Sequence, residues 1–183
     1  IEEMFRSYTK PSNGDIFVSD YQTQRIFKID PQGALEFIAG KIRNLNESNY
    51  EEVDQNSTER KGTTTQTTGQ DVLKGFTPAG IPYGEATLNG PRGLAIDKED
   101  NLLFAEEDSD MIRKLDFSTG KLETVAGLAG KEYEYGRILA SQAGIPRPID
   151  IALSNAGDLY VLCQMTDGNQ AIGRFDKTGY FQH

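Results

Sequence analysis

The chain has 183 residues, 37% of them hydrophobic, and a formal net charge of −9 from 19 basic and 28 acidic side chains. That length suffices for a substantial buried core, the acidic excess repels phosphate backbones, and the lack of any run of about 20 apolar residues rules out a membrane-spanning helix in this sequence. The lone cysteine, Cys163, excludes an internal disulfide. The chain begins at Ile1 rather than Met, so a processed or partial chain is the expectation.

Residues 1–40 read as one unit. After MFRSYT, the stretch GDIFVSDYQTQRIFKIDPQGALEFIAG places apolar runs at 15–19, 25–29 and 35–38 between Asp, Gln and Gly turn residues, which predicts strands. Alternation in Ile16, Phe17 and Val18 is poor, as expected of a sheet packed on both faces. Residues 41–88 then interrupt the pattern with NLNESNYEEVDQNSTERKGTTTQTTGQ, too long and too polar for an ordinary connection. This segment carries two Asn-x-Ser/Thr sequons, at Asn46 and Asn56, which are glycosylation candidates in a secreted protein.

The clearest unit spans 89–127, where apolar runs at 93–96, 102–105, 111–115 and 122–125 predict one antiparallel four-stranded sheet. Residues 128–145 form a second insertion, LAGKEYEYGRILASQAGI, and 146–183 hold another copy of the unit. The copies superimpose residue on residue. Ile26 falls on Ile112, Lys28 on Lys114, Asp30 on Asp116 and Ala39-Gly40 on Ala126-Gly127; Pro148 falls on Pro91, Asp158 on Asn101, Asp176 on Asp116 and Gly179 on Gly120. Phe5 and Tyr8 meet Pro91 and Leu94 in this frame, so MFRSYT is read as a degenerate inner strand of the first copy. The last copy is expanded at 166–169. A repeated four-stranded sheet without a helical crossover predicts propeller blades.

The runs PRGLAID, NLLFAEE, MIRKLD and ETVAG resemble the NHL repeat family of β-propellers, and the likeness covers three blades, nearly the whole chain. The resemblance implies an all-β fold of three four-stranded blades, whose ring is completed by further blades or by another chain, because three blades do not close. It implies a non-enzymatic module for interaction or assembly, extracellular or at the cell surface, whose partner is a protein, a glycan or further copies of itself. The alternative is part of a propeller hydrolase or lyase whose catalytic residues lie in blades outside this sequence. Some NHL proteins bind RNA on a basic face; here 19 basic residues are spread among 28 acidic ones, and no nucleic acid is expected.

In a propeller, the connection between blades shares a face with the turn between second and third strands. Both insertions and the 166–169 expansion are therefore expected on one face, with Tyr83, Tyr133, Tyr135 and Asp167 as candidate contacts. Arg6 and Arg92 occupy equivalent positions at the mouth end of inner strands, with Arg147 beside the third; they either present positive charge to the channel entrance or hydrogen-bond neighbouring loop carbonyls, and the second is favoured. Asp20 and Arg25 form a structural turn pair, the acid holding the arginine across the turn. Blade two keeps Glu106 but has Met111 in the arginine's place, and blade three has Cys163 and Ala171, so the pair is expected in blade one alone.

Glu106, Glu107, Asp108 and Asp110 crowd one turn, which makes Asp108 and Asp110 candidates for a cation, although Met111-Ile112 breaks the EF-hand pattern. The single histidine, His183, is terminal, so a histidine-zinc site cannot be assembled, and no Ser-His-Asp arrangement, phosphate loop or dinucleotide fingerprint is present. No catalytic residue, metal or cofactor is expected. Cys163, within the apolar run 159–163, reads as a buried, inert thiol.

Overall fold

The computed structural model describes residues 7–9, 11–40, 77–133 and 136–182. Three antiparallel sheets follow one another along the chain. The first is β1 (Ser7–Thr9), β2 (Ile16–Asp20), β3 (Arg25–Ile29) and β4 (Leu35–Ala39), and the second β5 (Pro91–Ile96), β6 (Leu102–Glu106), β7 (Met111–Asp116) and β8 (Lys121–Ala126). The third is β10 (Pro148–Leu153), β11 (Leu159–Gln164), β12 (Gln170–Phe175) and β13 (Tyr180–Gln182), with β9 (Ile138–Leu139) added outside β13. Asn46, Asn56, Tyr135, Arg6 and His183 lie outside the described residues. Among the described residues no helix is long and apolar enough to cross a membrane.

The strand registers repeat in the frame set by the sequence. Tyr8 pairs with Val18, Leu94 with Phe104 and Ile151 with Val161. At the far end of the second strand Asp20 faces Arg25, Glu106 faces Met111 and Cys163 faces Ala171. An irregularity between third and fourth strands falls at Ile26/Phe27 in blade one and Ile112/Arg113 in blade two. Such a bulge bends the outer strand and increases its twist.

The turns between third and fourth strands are closed alike, because each begins with an aspartate that can accept from backbone ahead of it. Asp30 accepts from the N–H of Gln32 and Ala34, Asp116 from those of Ser118 and Thr119, and Asp176 from those of Thr178 and Tyr180. Gly33, Gly120 and Gly179 supply the positive φ that each turn needs. Asn101 and Asp158 reach across to the N–H of Phe117 and Lys177, whereas the corresponding residue in blade one is Pro31, which has no N–H, and Asp15 bonds Asn13 instead.

Hydrogen bonds from the Ser118 hydroxyl and the Thr119 N–H hold the Asp116 carboxyl below the usual carboxylate range, and the Thr178 hydroxyl does the same for Asp176. A depressed folded-state pKa stabilises above the unfolded value and is lost as pH falls through the folded one. Stability is therefore expected to fall as pH drops below about 4. Urea midpoints measured from pH 7 downwards check this, and Asp116→Asn should flatten the decline.

Blade two is packed on both sides, which explains why its second strand is buried along its whole length. Leu102 and Phe104 alternate to one side and join Phe17, Ile26 and Ala39 of blade one, with Leu94, Leu115 and Leu122. Leu103 and Ala105 alternate to the other side and join Ile151, Val161, Cys163, Phe175 and Phe181 of blade three, with Ile112. Burying a Leu, Ile or Phe side chain contributes about 1.5–3 kcal/mol, so these two inter-blade cores dominate the stability. The inner strands meet closely: a Cβ on Gly93 would lie 2.5 Å from the Cα of Asp150.

The third sheet has five strands, not four. A short segment preceding each of blades two and three runs along that blade's outer strand and satisfies its free backbone groups. In blade two Leu122 donates to Ile81, Pro82 bridges Lys121, and Tyr83 donates to Gly120 at 3.1 Å. In blade three Ile138 and Leu139 pair with Phe181 and Tyr180, and Ala140 donates to Gly179 at 2.8 Å. Each segment then passes through a single 3-10 turn, Tyr83–Glu85 or Ala140–Gln142, and buries Ala86 and Leu88, or Ala143 and Ile145, between blades.

Candidate functional site

The turns between second and third strands and the junctions into β5 and β10 gather at one end of the sheets, the mouth. Glu107 and Asp108 sit in the 3-10 turn Glu107–Ser109, and their N–H groups donate to Gly90 and Asn89 of the junction. Gly90 has φ 72°, and a Cβ there would press on the Asp108 carboxylate and the Tyr21 ring, so only glycine fits. Gln24, from the corresponding turn of blade one, accepts from the Gly90 N–H.

Glu107 is fully buried, and two arginines from different blades close on its carboxylate. Arg92 of β5 pairs with one oxygen, and Arg147, just before β10, reaches the other at 2.6 Å. The bond to Glu107 holds the Arg147 guanidinium above its ordinary pKa. Arg147 also has φ 43°, a position that favours glycine, and its N–H donates to Asp110 at 2.8 Å. Loop carbonyls were the favoured partners of these arginines; Arg147 hydrogen-bonds a buried carboxylate instead and Arg92 is ion-paired with it, because a desolvated anion is costly unless paired and outcompetes neutral acceptors.

The network continues into blade one. The Arg92 guanidinium lies 4.6 Å from the centre of the Tyr21 ring, and the Tyr21 hydroxyl donates to Asp108 at 3.2 Å. Burial first, and the Asp108 charge next, push the Tyr21 phenol above its ordinary pKa. A chain of contacts thus joins all three blades: Tyr21 to Asp108 and Arg92, Arg92 to Glu107, Glu107 to Arg147. What faces solvent is Asp108, part of Tyr21 and the outer half of Arg147, a polar surface on a rigid base.

Asp108 and Asp110 do not converge. Asp108 accepts from Tyr21, and Asp110 accepts from the N–H groups of Arg147 and Gly130. Among the described residues no group of three or more metal-ligating side chains is assembled. Asp20 caps its own turn, accepting from the N–H of Gln22 and Thr23 and the Thr23 hydroxyl, while the Arg25 guanidinium lies 5.9 Å from the Phe37 ring centre. The acid–arginine pair appears in blade two instead: Glu106 and Arg113, both fully buried, lie 3.1 Å apart. Arg113 is two residues beyond Met111 and so shares its face of β7, a period-two signal present in the sequence. Arg113 also donates to the Thr77 carbonyl at 2.7 Å, and Glu106 accepts from the Asn89 N–H, which ties the end of the long insertion to blade two.

Asp167 is exposed in the mouth-side turn of blade three, where it accepts from the N–H and side chain of Asn169. Tyr133 packs edge-on against Phe181 at 5.4 Å. Tyr83 stands apart from the mouth: its N–H bonds Gly120, its ring meets Phe117 edge-on at 5.8 Å, and it belongs to the opposite end. Cys163 is buried, and desolvation pushes its thiol up to about 12.

No protein-family profile and no curated protein matches the chain. Solved structures do. A Bacteroides thetaiotaomicron VPI-5482 protein of unknown function shares 20% identity at a TM-score of 0.58, over 92% of this chain and 32% of its own. A catalytically inactive virginiamycin B lyase from Staphylococcus aureus, solved with quinupristin, shares 15% at 0.53, over 98% and 40%. A chain of the nidogen/laminin complex shares 13% at 0.55, over 97% and 46%. The chain spans between a third and a half of these structures, and at such identities the likeness shows the fold alone. The chain is an all-β run of three partial-ring β-propeller blades.

Proposed function

We propose that this chain is part of an NHL-type propeller that serves as a non-enzymatic module for interaction and assembly, extracellular or at the cell surface. The observation that carries the reading is one repeated position. Ile26 and Ile112 are fully buried under the next blade, whereas Ile172, on the equivalent position of blade three, is 65% exposed. Leu35 of blade one is likewise 65% exposed where its counterpart Leu122 is fully buried. Both end sheets carry residues suited to a blade interface, and the faces match in kind: one has the positions that receive a following blade, the other those that cover a preceding one. The mouth, with its paired and cross-blade network, is the rigid surface offered to a protein or glycan. The sequons in the long insertion and the laminin-bound nidogen neighbour favour the extracellular assignment.

A second reading is part of a propeller lyase or hydrolase whose catalytic residues lie in blades outside this chain; the virginiamycin B lyase neighbour favours it. Light scattering on the 20.2 kDa chain tests the assembly reading. A mass of two or more chains is expected, because apolar faces of this kind associate. A monomer at every concentration overturns completion of the ring by further copies.

A further inference from the structure

At the end opposite the mouth, a cleft of about 370 Å³ opens between blades one and two. Its floor is aromatic. The Phe17 and Phe117 rings stack at 5.5 Å, and Tyr83 stands edge-on to Phe117. Around this floor are four carboxylates, Asp15, Glu36, Glu99 and Asp100, and one ammonium, Lys28. Lys28 is taken by Glu36 at 2.6 Å. Asp15 and Asp100 are held by neutral donors, the Asn13 amide and the Ser12 hydroxyl and N–H, which fix their direction without cancelling their charge. Among the described residues Glu99 pairs with Lys98, at 3.5 Å, where both are well exposed.

The repeat supplies an internal control. The wedge between blades two and three has the same architecture and keeps the Lys114–Glu123 pair, but its other residues differ in chemistry. Leu103 stands for Phe17, Ala140 for Tyr83 and Lys177 for Phe117; Asn101 stands for Asp15 and Gly157 for Asp100. The aromatic rings are thus present at one wedge and not the other; the second wedge carries acids of its own, Asp97 and Glu99 in the places of Pro11 and Asn13, but sets Lys177 beside Lys114 against them.

We propose that this cleft binds an organic cation, an alkylammonium on an apolar stem. Phe17 is buried, so the half-buried Tyr83 and Phe117 rings offer the aromatic surface that favours a cation, while the apolar floor accepts the stem and the rim carboxylates attract the charge. The same chemistry is offered by a free amine or by a lysine side chain of a partner protein. The site is separate from the mouth and from the end faces, so it stands or falls independently of the assembly reading.

Backbone-amide NMR titration of the full chain tests it, with pentylamine, acetyl-lysine methylamide, pentanol and pentanoate as probes. Pentylamine is expected to shift the amides around Phe17, Tyr83 and Phe117 saturably, with Kd near or below about 1 mM, and pentanol and pentanoate to bind at least about tenfold more weakly. The double variant Tyr83→Ala/Phe117→Lys installs two residues that the other wedge accommodates and so should fold, and should lose about tenfold or more in affinity. Asp15→Asn should weaken binding about threefold to tenfold and flatten its salt dependence. Tighter binding of the capped lysine assigns a partner's side chain, and tighter binding of pentylamine a free amine; both sustain the site. Equal binding of pentanol, an unaffected double variant, or no saturable shift at these residues overturns it.

Discussion

Replacing Arg113 with Met is expected to lower stability by about 3–5 kcal/mol. The reason is what the substitution leaves behind rather than what it removes. Glu106 is fully buried beside Arg113, and without the guanidinium its carboxylate keeps, among the described residues, the Asn89 N–H and the Ser109 side chain, neither of which carries a charge. The Thr77 carbonyl loses its donor as well. Burial already pushes the Glu106 carboxyl above its ordinary pKa. A raised folded-state pKa stabilises fully below the unfolded value, near 4.5, and that stabilisation is lost as pH rises through the folded one, so the variant should be less damaged at pH 5 than at pH 8. The double variant Glu106→Gln/Arg113→Met should recover most of the loss, because a neutral amide beside a thioether carries no orphaned charge. Urea denaturation of the single and double variants at the two pH values measures all of this. Equal stability of Arg113→Met and the unmodified chain at pH 8 would show that the pair is not desolvated.

The second large effect compares one residue in three settings. Ile112→Ala removes a fully buried side chain from the core between blades two and three and is expected to cost about 2–5 kcal/mol; Ile26→Ala should cost a similar amount between blades one and two. Ile172→Ala, at the equivalent place on blade three, should change the stability of an isolated chain by no more than about 0.5 kcal/mol, because the side chain is 65% exposed. The same substitution should lower the mass seen by light scattering if Ile172 is covered by another blade. Denaturation and scattering on one set of variants therefore separate the residue's role within a chain from its role between chains. A cost of several kcal/mol for Ile172→Ala without any change in mass would contradict the exposed-interface account.

Much of the fold was legible because the repeat fixes it more than once. Asp30, Asp116 and Asp176 announce the same turn, and Asp20, Glu106 and Cys163 mark the same strand end, so independent copies constrain one register. The segments along the outer strands were less visible. Their signal, Ile81, Ala86 and Leu88 matched by Ile138, Ala143 and Ile145, lies at the ends of two stretches of very different length, and the polar residues between them hide the match. That path also carries Tyr83 to the end opposite the mouth, where chain connectivity alone would not put it. At the mouth the sequence shows charges without their distances. Glu107 follows Glu106 in a run of acids that looks solvated, and the approach of Arg92 and of Arg147 from the next blade reveals it as a buried anion.

The segments along β8 and β13 have one more consequence. A bare outer strand lets sheets join rim to rim, which leads to unlimited lateral growth. In blades two and three these rims are taken by the chain's own segments, so on the assembly reading proposed above a further blade stacks broadside on the exposed end faces rather than joining at these two rims. On that reading, such stacking closes into a finite ring when the turn per blade divides the circle and winds into an open helix when it does not, so the angle between blades decides between the two.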